Sequence, residues 1–184
     1  YFGGRLNAAA SVFRIKQDNL AQSVGLTIPG TTPPETAYRA AEGVTSEGFE
    51  FEVAGEPFPG WRLSAGYSQF KATDANNEDV NTMFPRKLLR VFSAYRLRGD
   101  WSKLTLGMGA NWQSSTYTIA TNPMGADEKI DQKAYALINL MARYDISSKM
   151  AVQLNVNNAF DRKYFAVFDA YDQLTYGAPR HASL

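Results

Sequence analysis

Apolar and polar residues alternate one for one along run after run of this chain, and the connections between the runs alternate long and short. In Val152 to Asn157, Val152, Leu154 and Val156 share one phase, while Gln153, Asn155 and Asn157 share the other. A period of two belongs to a β-strand with one greasy face and one wet face. Glu47 to Ala54 sets Phe49, Phe51 and Val53 against Glu50, Glu52 and Ala54. Trp61 to Phe70 sets Trp61, Leu63, Ala65 and Tyr67 against Arg62, Ser64, Gly66 and Ser68. In Arg86 to Arg98 the apolar phase is Leu89, Val91, Tyr95 and Leu97, opposite Arg90 and Arg96. In Lys103 to Ser114, Leu104, Leu106, Met108, Ala110 and Trp112 oppose Thr105, Gly107, Gly109, Asn111 and Gln113. In Ala134 to Asp145 the apolar phase is Ala136, Ile138, Leu140, Ala142 and Tyr144. Leu6 to Gln17 reads as a further strand with a blurred phase, because Val12 shares its face with Arg14 and Lys16. A last strand starts at Arg180 and is cut off by the chain end.

Between these strands, Asp18 to Thr45, Thr73 to Pro85, Ser115 to Gln132 and Asn158 to Pro179 are long connections. Gly55 to Gly60, Gly99-Asp100 and Ser147-Ser148 are tight turns. About ten residues at a tilt near 45° cross a hydrocarbon layer of roughly 25–30 Å. Short turns on one side and long loops on the other are the pattern of an antiparallel up-and-down transmembrane β-barrel. Trp61, Tyr95, Trp101 and Tyr144 stand beside the short turns, where a membrane interface favours rings. A soluble barrel with its apolar phase inside also alternates, but soluble strands are more often about five or six residues long. The expectation is therefore an all-β chain whose Phe51, Leu106 and Leu154 meet lipid, while Glu52, Gly107 and Asn155 face a wet interior.

Composition removes other classes of function. The net charge is +1, from 19 basic and 18 acidic residues, so nothing electrostatic favours nucleic acid. The absence of cysteine excludes disulfides, thiolate metal sites and cysteine nucleophiles from this piece. The single histidine, His181, cannot build a His-based metal cluster or a Ser-His-Asp triad. No run approaches the ~20 apolar residues of a membrane helix. The chain opens at Tyr1 without an initiator methionine or signal segment, which reads as an excised portion of something longer.

Short motifs then carry a resemblance. Asn158 to Tyr164 (N-A-F-D-R-K-Y) resembles the N-L-F-D-K-x-Y segment near the C-terminus of TonB-dependent outer-membrane receptors. Gly177, Pro179 and Arg180 resemble the G-x-P-R that opens that family's last strand. Pro85-Arg86 with Tyr95, and Gly48 to Gly55 with Trp61 to Tyr67, are similar to earlier family strands, in the same order. The siderophore-receptor branch is the nearest in pattern. The resemblance implies that residues 1–184 are the C-terminal third of a barrel of about 22 strands, whose plug is not present in this chain. It implies outer-membrane, TonB-dependent uptake of a ferric siderophore in a Gram-negative bacterium, with haem or cobalamin as alternative cargoes. Its partners would be the siderophore, outer-membrane lipid and, through the missing plug, the TonB complex. Iron would pass only as cargo, with no resident cofactor. The family's terminal aromatic residue is absent, since the chain stops at Leu184. A passive porin, a barrel-embedded enzyme and a soluble ligand-binding barrel are the competing classes.

No catalytic constellation emerges. Glu50 and Glu52 share a strand face, as the acid pair of a glycosidase would, but charged residues lining a lumen account for them, as for Arg90 and Arg96. Asp74, Asn76 and Glu78 start like a calcium loop but lack its glycine, and Pro85 occupies the position of its last ligand. Gly107 and Gly109 continue to Trp112, not to a third glycine, so no dinucleotide fingerprint forms. Asn158, Phe160, Asp161, Tyr164, Gly177, Pro179 and Arg180 read as structural motif residues. The loop rings Phe84, Tyr117, Tyr171 and Tyr176 are the candidate ligand contacts, because rings offer large contact area at low entropy cost.

Overall fold

The computed structural model describes residues 3, 5–18, 20–41, 43–122, 124–170 and 173–184. Among the described residues fourteen strands follow one another: β1 Leu6–Gln17, β2 Leu20–Thr27, β3 Thr36–Ala41, β4 Val44–Phe58, β5 Trp61–Thr73, β6 Lys87–Arg96, β7 Leu104–Gln113, β8 Thr116–Thr121, β9 Asp127–Gln132, β10 Tyr135–Asp145, β11 Ala151–Asn157, β12 Phe165–Ala170, β13 Gln173–Tyr176 and β14 His181–Ser183. Eight of them form one sheet in the order β1-β4-β5-β6-β7-β10-β11-β14. Neighbours from β5 to β14 pair antiparallel. These eight are the strands expected from the alternation. The long connections hold more order than their Pro- and Gly-broken sequences suggest, since three of them fold into the hairpins β2–β3, β8–β9 and β12–β13.

The chain divides into two compact units. The larger comprises Tyr1–Ser11, Phe49–Gln69 and Thr82–Leu184. Its two sheet faces separate by phase as expected. Phe51, Leu106 and Leu154 are 46 %, 46 % and 41 % exposed on one face. Glu52, Ser64, Arg90, Asn111, Asn139 and Asn155 line a groove on the other. No large side chain is fully buried among the described residues, and the buried apolar ones are alanines. A soluble barrel would gather its apolar phase in a dry centre; here that phase is spread over an outer surface.

The registers align the inner side chains in rows. Arg62 lies beside Ala94, Ala94 beside Gly107, Gly107 beside Met141, and Met141 beside Asn155. A Cβ on Gly107 would come 3.0 Å from Met141 Cε and 3.4 Å from Ala94 Cβ, so the wall itself restricts that position to a small residue. At the short-turn end, Arg143 donates to Asp145 at 3.0 Å, and Arg96 lies 3.8 Å from the other oxygen of the same carboxylate. On the outer face, Ser93, which interrupts the apolar phase of β6, is matched. Trp61 donates its indole N–H to Ser93 Oγ at 2.9 Å, so each polar group on this apolar face has a partner. Phe58 stacks on Trp61, and Trp101, Tyr95 and Tyr144 are exposed near the same turns, as an interfacial girdle requires.

The smaller unit comprises Val12–Gly48 and Phe70–Asn81. Arg14 approaches Glu47 at 3.8 Å there. In the loop after β5, Asp74 Oδ1 accepts from the N–H groups of Asn76 and Glu78, each at 2.9 Å. That carboxylate shapes a turn, in keeping with the solvated loop expected from the sequence.

Candidate ligand-binding loops

The long-loop end of the larger unit carries the candidate rings. Tyr117 lies on β8, half-buried, with Lys129 Nζ 4.2 Å from the centre of its ring and Asp131 3.3 Å from that ammonium. Alternation on a short antiparallel hairpin places these groups together, through the pairs Tyr117↔Asp131 and Ile119↔Lys129. Tyr176, at the end of β13, is 68 % exposed and stacks on Phe165, with ring centres 4.8 Å apart. Phe84 is 57 % exposed in the connection between β5 and β6. Tyr171 lies outside the described residues.

Hydrogen bonds run from one of these rings towards the next. The Tyr117 N–H donates to Thr82 O at 3.1 Å, which joins its strand to the connection that carries Phe84. Thr116, one residue before Tyr117, pairs with Gln132. Gln132 is 7 % exposed and reaches across to β12: its Oε1 accepts the Phe165 N–H at 2.6 Å and its Nε2 donates to Phe165 O at 3.4 Å. The amide orientation follows from the backbone, because Phe165 N–H can only donate. The sequence reading missed Gln132. A glutamine ending a polar loop carries no signal until its partner, 33 residues away, is known.

The motif residues form a clasp below the β12–β13 hairpin. Asn158 is 4 % exposed, with φ at +48°. Its N–H donates to Asn139 Oδ1, and its Oδ1 accepts from Arg162 N–H. Its Nδ2 donates to both Arg162 O and Ala178 O. Asp161 Oδ1 accepts from Arg180 N–H at 2.9 Å, and Gly177 N–H donates to Tyr164 O at 2.8 Å. The two motifs are therefore halves of one structure. Asn and Asp were expected to bond their own turn; Asn158 does so and also crosses to Ala178, while Asp161 caps the residue that leads into β14. Phe160 is 79 % exposed and enters none of these bonds. Pro179 O lies 3.0 Å from His181 Nδ1. No group of three or more acidic or histidine residues is arranged to hold a metal ion among the described residues.

Comparison with known proteins gives this arrangement a lineage. Residues 1–159 match the family described as TonB dependent receptor-like, beta-barrel. The ferric-pyoverdine BN7/BN8 receptor of Pseudomonas putida is 40 % identical over 182 residues, covering 98 % of this chain and 20 % of that receptor. The ferripyoverdine receptor of Pseudomonas aeruginosa is 36 % identical over 98 % of this chain and 22 % of its own length. In a crystal structure of the outer-membrane ferripyoverdine receptor of that organism bound to ferripyoverdine, the corresponding part superposes with a TM-score of 0.89 at 35 % identity, covering 99 % of this chain and 24 % of that one. The alcaligin outer-membrane receptor of Bordetella pertussis reaches a TM-score of 0.67 at 40 % identity over 85 % of this chain and 25 % of that one. The chain thus spans about a fifth of the length of the curated relatives it matches. With its strand order, its two-faced sheet and its interlocked motifs, it belongs to the TonB-dependent receptor β-barrel family.

Proposed function

We propose that residues 1–184 are barrel wall and extracellular loops of an outer-membrane receptor that takes up a ferric siderophore of the pyoverdine type. The observation that carries this reading is the 36–40 % identity to pyoverdine receptors, in matches that each cover 98 % of this chain. In this reading the apolar face meets lipid and the groove face lines the lumen. The short turns lie in the periplasm, and the whole barrel reaches about 22 strands around a plug. Phe84, Tyr117, Tyr171 and Tyr176 contact the chelate by ring packing, and Lys129 adds a positive charge beside Tyr117. The protein is a receptor and transporter, not an enzyme. Iron enters only as cargo, without a resident cofactor, and TonB engages a part of the receptor outside these residues.

The test uses the full-length receptor in a Gram-negative host deleted for its own pyoverdine receptors. Iron-55 supplied as ferric pyoverdine should accumulate only when TonB is intact. Accumulation without TonB would point to a passive pore. Failure of the purified receptor to bind any pyoverdine, with binding of haem or cobalamin instead, would reassign the cargo.

A further inference from the structure

We infer that Gln132 is a positioning residue for ligand capture: it ties the β8–β9 hairpin to the β12–β13 hairpin and so sets the exposed face of Tyr176. The inference rests on the proposed siderophore function for its consequence, but not for its geometry. Gln132 turns both ends of one buried amide onto the backbone of a single residue, Phe165, in a different hairpin. This copies the paired N–H and C=O bonds of a strand neighbour where no strand continues. A buried amide half-satisfied would cost more than it contributes, so the side chain specifies one relative placement of the two hairpins. The consequence passes outward through two rings. Phe165 stacks on Tyr176, and Tyr176 presents its exposed face at the end of β13. On the same rung, Thr116 leads directly to Tyr117 and the Lys129 ammonium. Both candidate binding rings are therefore referenced to one amide that touches neither of them by hydrogen bond. A second ring pair, Tyr135 and Tyr164 at 4.9 Å, joins the bases of the two hairpins but offers no directional bond to fix their height.

The chemistry of the amide supplies a discriminating experiment. Alanine removes both bonds. Glutamate keeps the acceptor for Phe165 N–H, but while ionised it sets a carboxylate against Phe165 O; once protonated it can donate again. Gln132→Ala and Gln132→Glu are made in the full-length receptor, and folding of each is checked by heat-modifiable gel mobility. Two quantities are read: quenching of tryptophan fluorescence by ferric pyoverdine, and deuterium uptake of the peptide covering residues 164–177. Gln132→Ala should weaken binding about five- to tenfold and speed exchange in that peptide, with exchange in β10 and β11 unchanged. Gln132→Glu should resemble Gln132→Ala near pH 7.5 and approach wild type near pH 5, measured as a ratio to wild type to cancel titration of the ligand. Unchanged affinity and exchange in Gln132→Ala would overturn the inference. So would a Gln132→Glu to wild-type ratio that stays flat with pH. If wild type binds no pyoverdine, the functional reading fails, while the exchange data still decide whether the clasp holds the hairpins.

Discussion

The ring of Tyr164 lies where a Cβ of residue 177 would have to be, and the Gly177 N–H donates to the Tyr164 carbonyl at 2.8 Å. The 12-residue excursion from Phe165 to Tyr176 is closed at its base by this contact and by the Asn158 and Asp161 bonds. A stem fixed in this way holds β14 in register beside β11 whatever the hairpin above it does.

Gly177→Ala should therefore destabilise the barrel by about 1–3 kcal/mol, the usual cost of forcing a group into filled space. Urea unfolding of the full receptor in detergent checks this. Tyr164→Leu combined with Gly177→Ala should recover part of the loss, because the smaller side chain can give way.

From one nearly buried position at positive φ, the Asn158 side chain makes three hydrogen bonds, while its N–H and C=O make two more. Asn158→Ala should cost about 2–4 kcal/mol, combining stranded backbone groups with a strained φ. Asn158→Gly relieves only the strain, so it should fall between alanine and wild type in the same unfolding assay.

Leu106 and Gly107 are adjacent in sequence and lie on opposite faces of the sheet. Leu106→Arg should cost about 2–4 kcal/mol near mid-membrane, whereas Gly107→Ser needs only a shift of the flexible Met141 tip and should cost less than about 1 kcal/mol. Equal penalties would mean that the faces have been exchanged.

Trp61 and Ser93 satisfy one another on the outer face. A double-mutant cycle with Trp61→Phe and Ser93→Ala should give a coupling of about 0.5–1.5 kcal/mol, in the range of hydrogen bonds between groups facing lipid. A coupling near zero would place water or a lipid headgroup on one of the two.

Tyr117→Ala and Tyr176→Ala should each weaken ferric pyoverdine binding about tenfold while leaving urea stability within about 0.5 kcal/mol of wild type. Titration of the purified receptor measures the first and the unfolding curve the second.

The two-residue period made the membrane-spanning strands legible, since the choice of face is made by every second side chain independently. β1 matches its expected limits of Leu6 and Gln17, and β5 and β10 begin and end within a few residues of theirs. Even the division of labour between Leu106 and Gly107 can be read from alternation. The hairpins β2–β3, β8–β9 and β12–β13 could not be read this way. Their strands are only four to eight residues long, and runs such as β9 (Asp-Glu-Lys-Ile-Asp-Gln) and β12 (Phe-Ala-Val-Phe-Asp-Ala) are polar or apolar almost throughout, so a two-residue period does not mark them. Tyr117 was recognisable as a loop ring, but its pairing with Lys129 depends on which turn closes the hairpin.

By itself, then, the order of residues determined that this chain alternates, which residues share a face of each long strand, and which motifs it carries. Only the tertiary structure decided that Asn158 and Ala178 are hydrogen-bonded, that Tyr164 requires a glycine at 177, and that Gln132 holds Phe165. The physical reason is range. A strand's two faces are set by neighbours two residues away, whereas a clasp depends on loop closure that brings together groups 13 to 33 residues apart, and no local pattern encodes that.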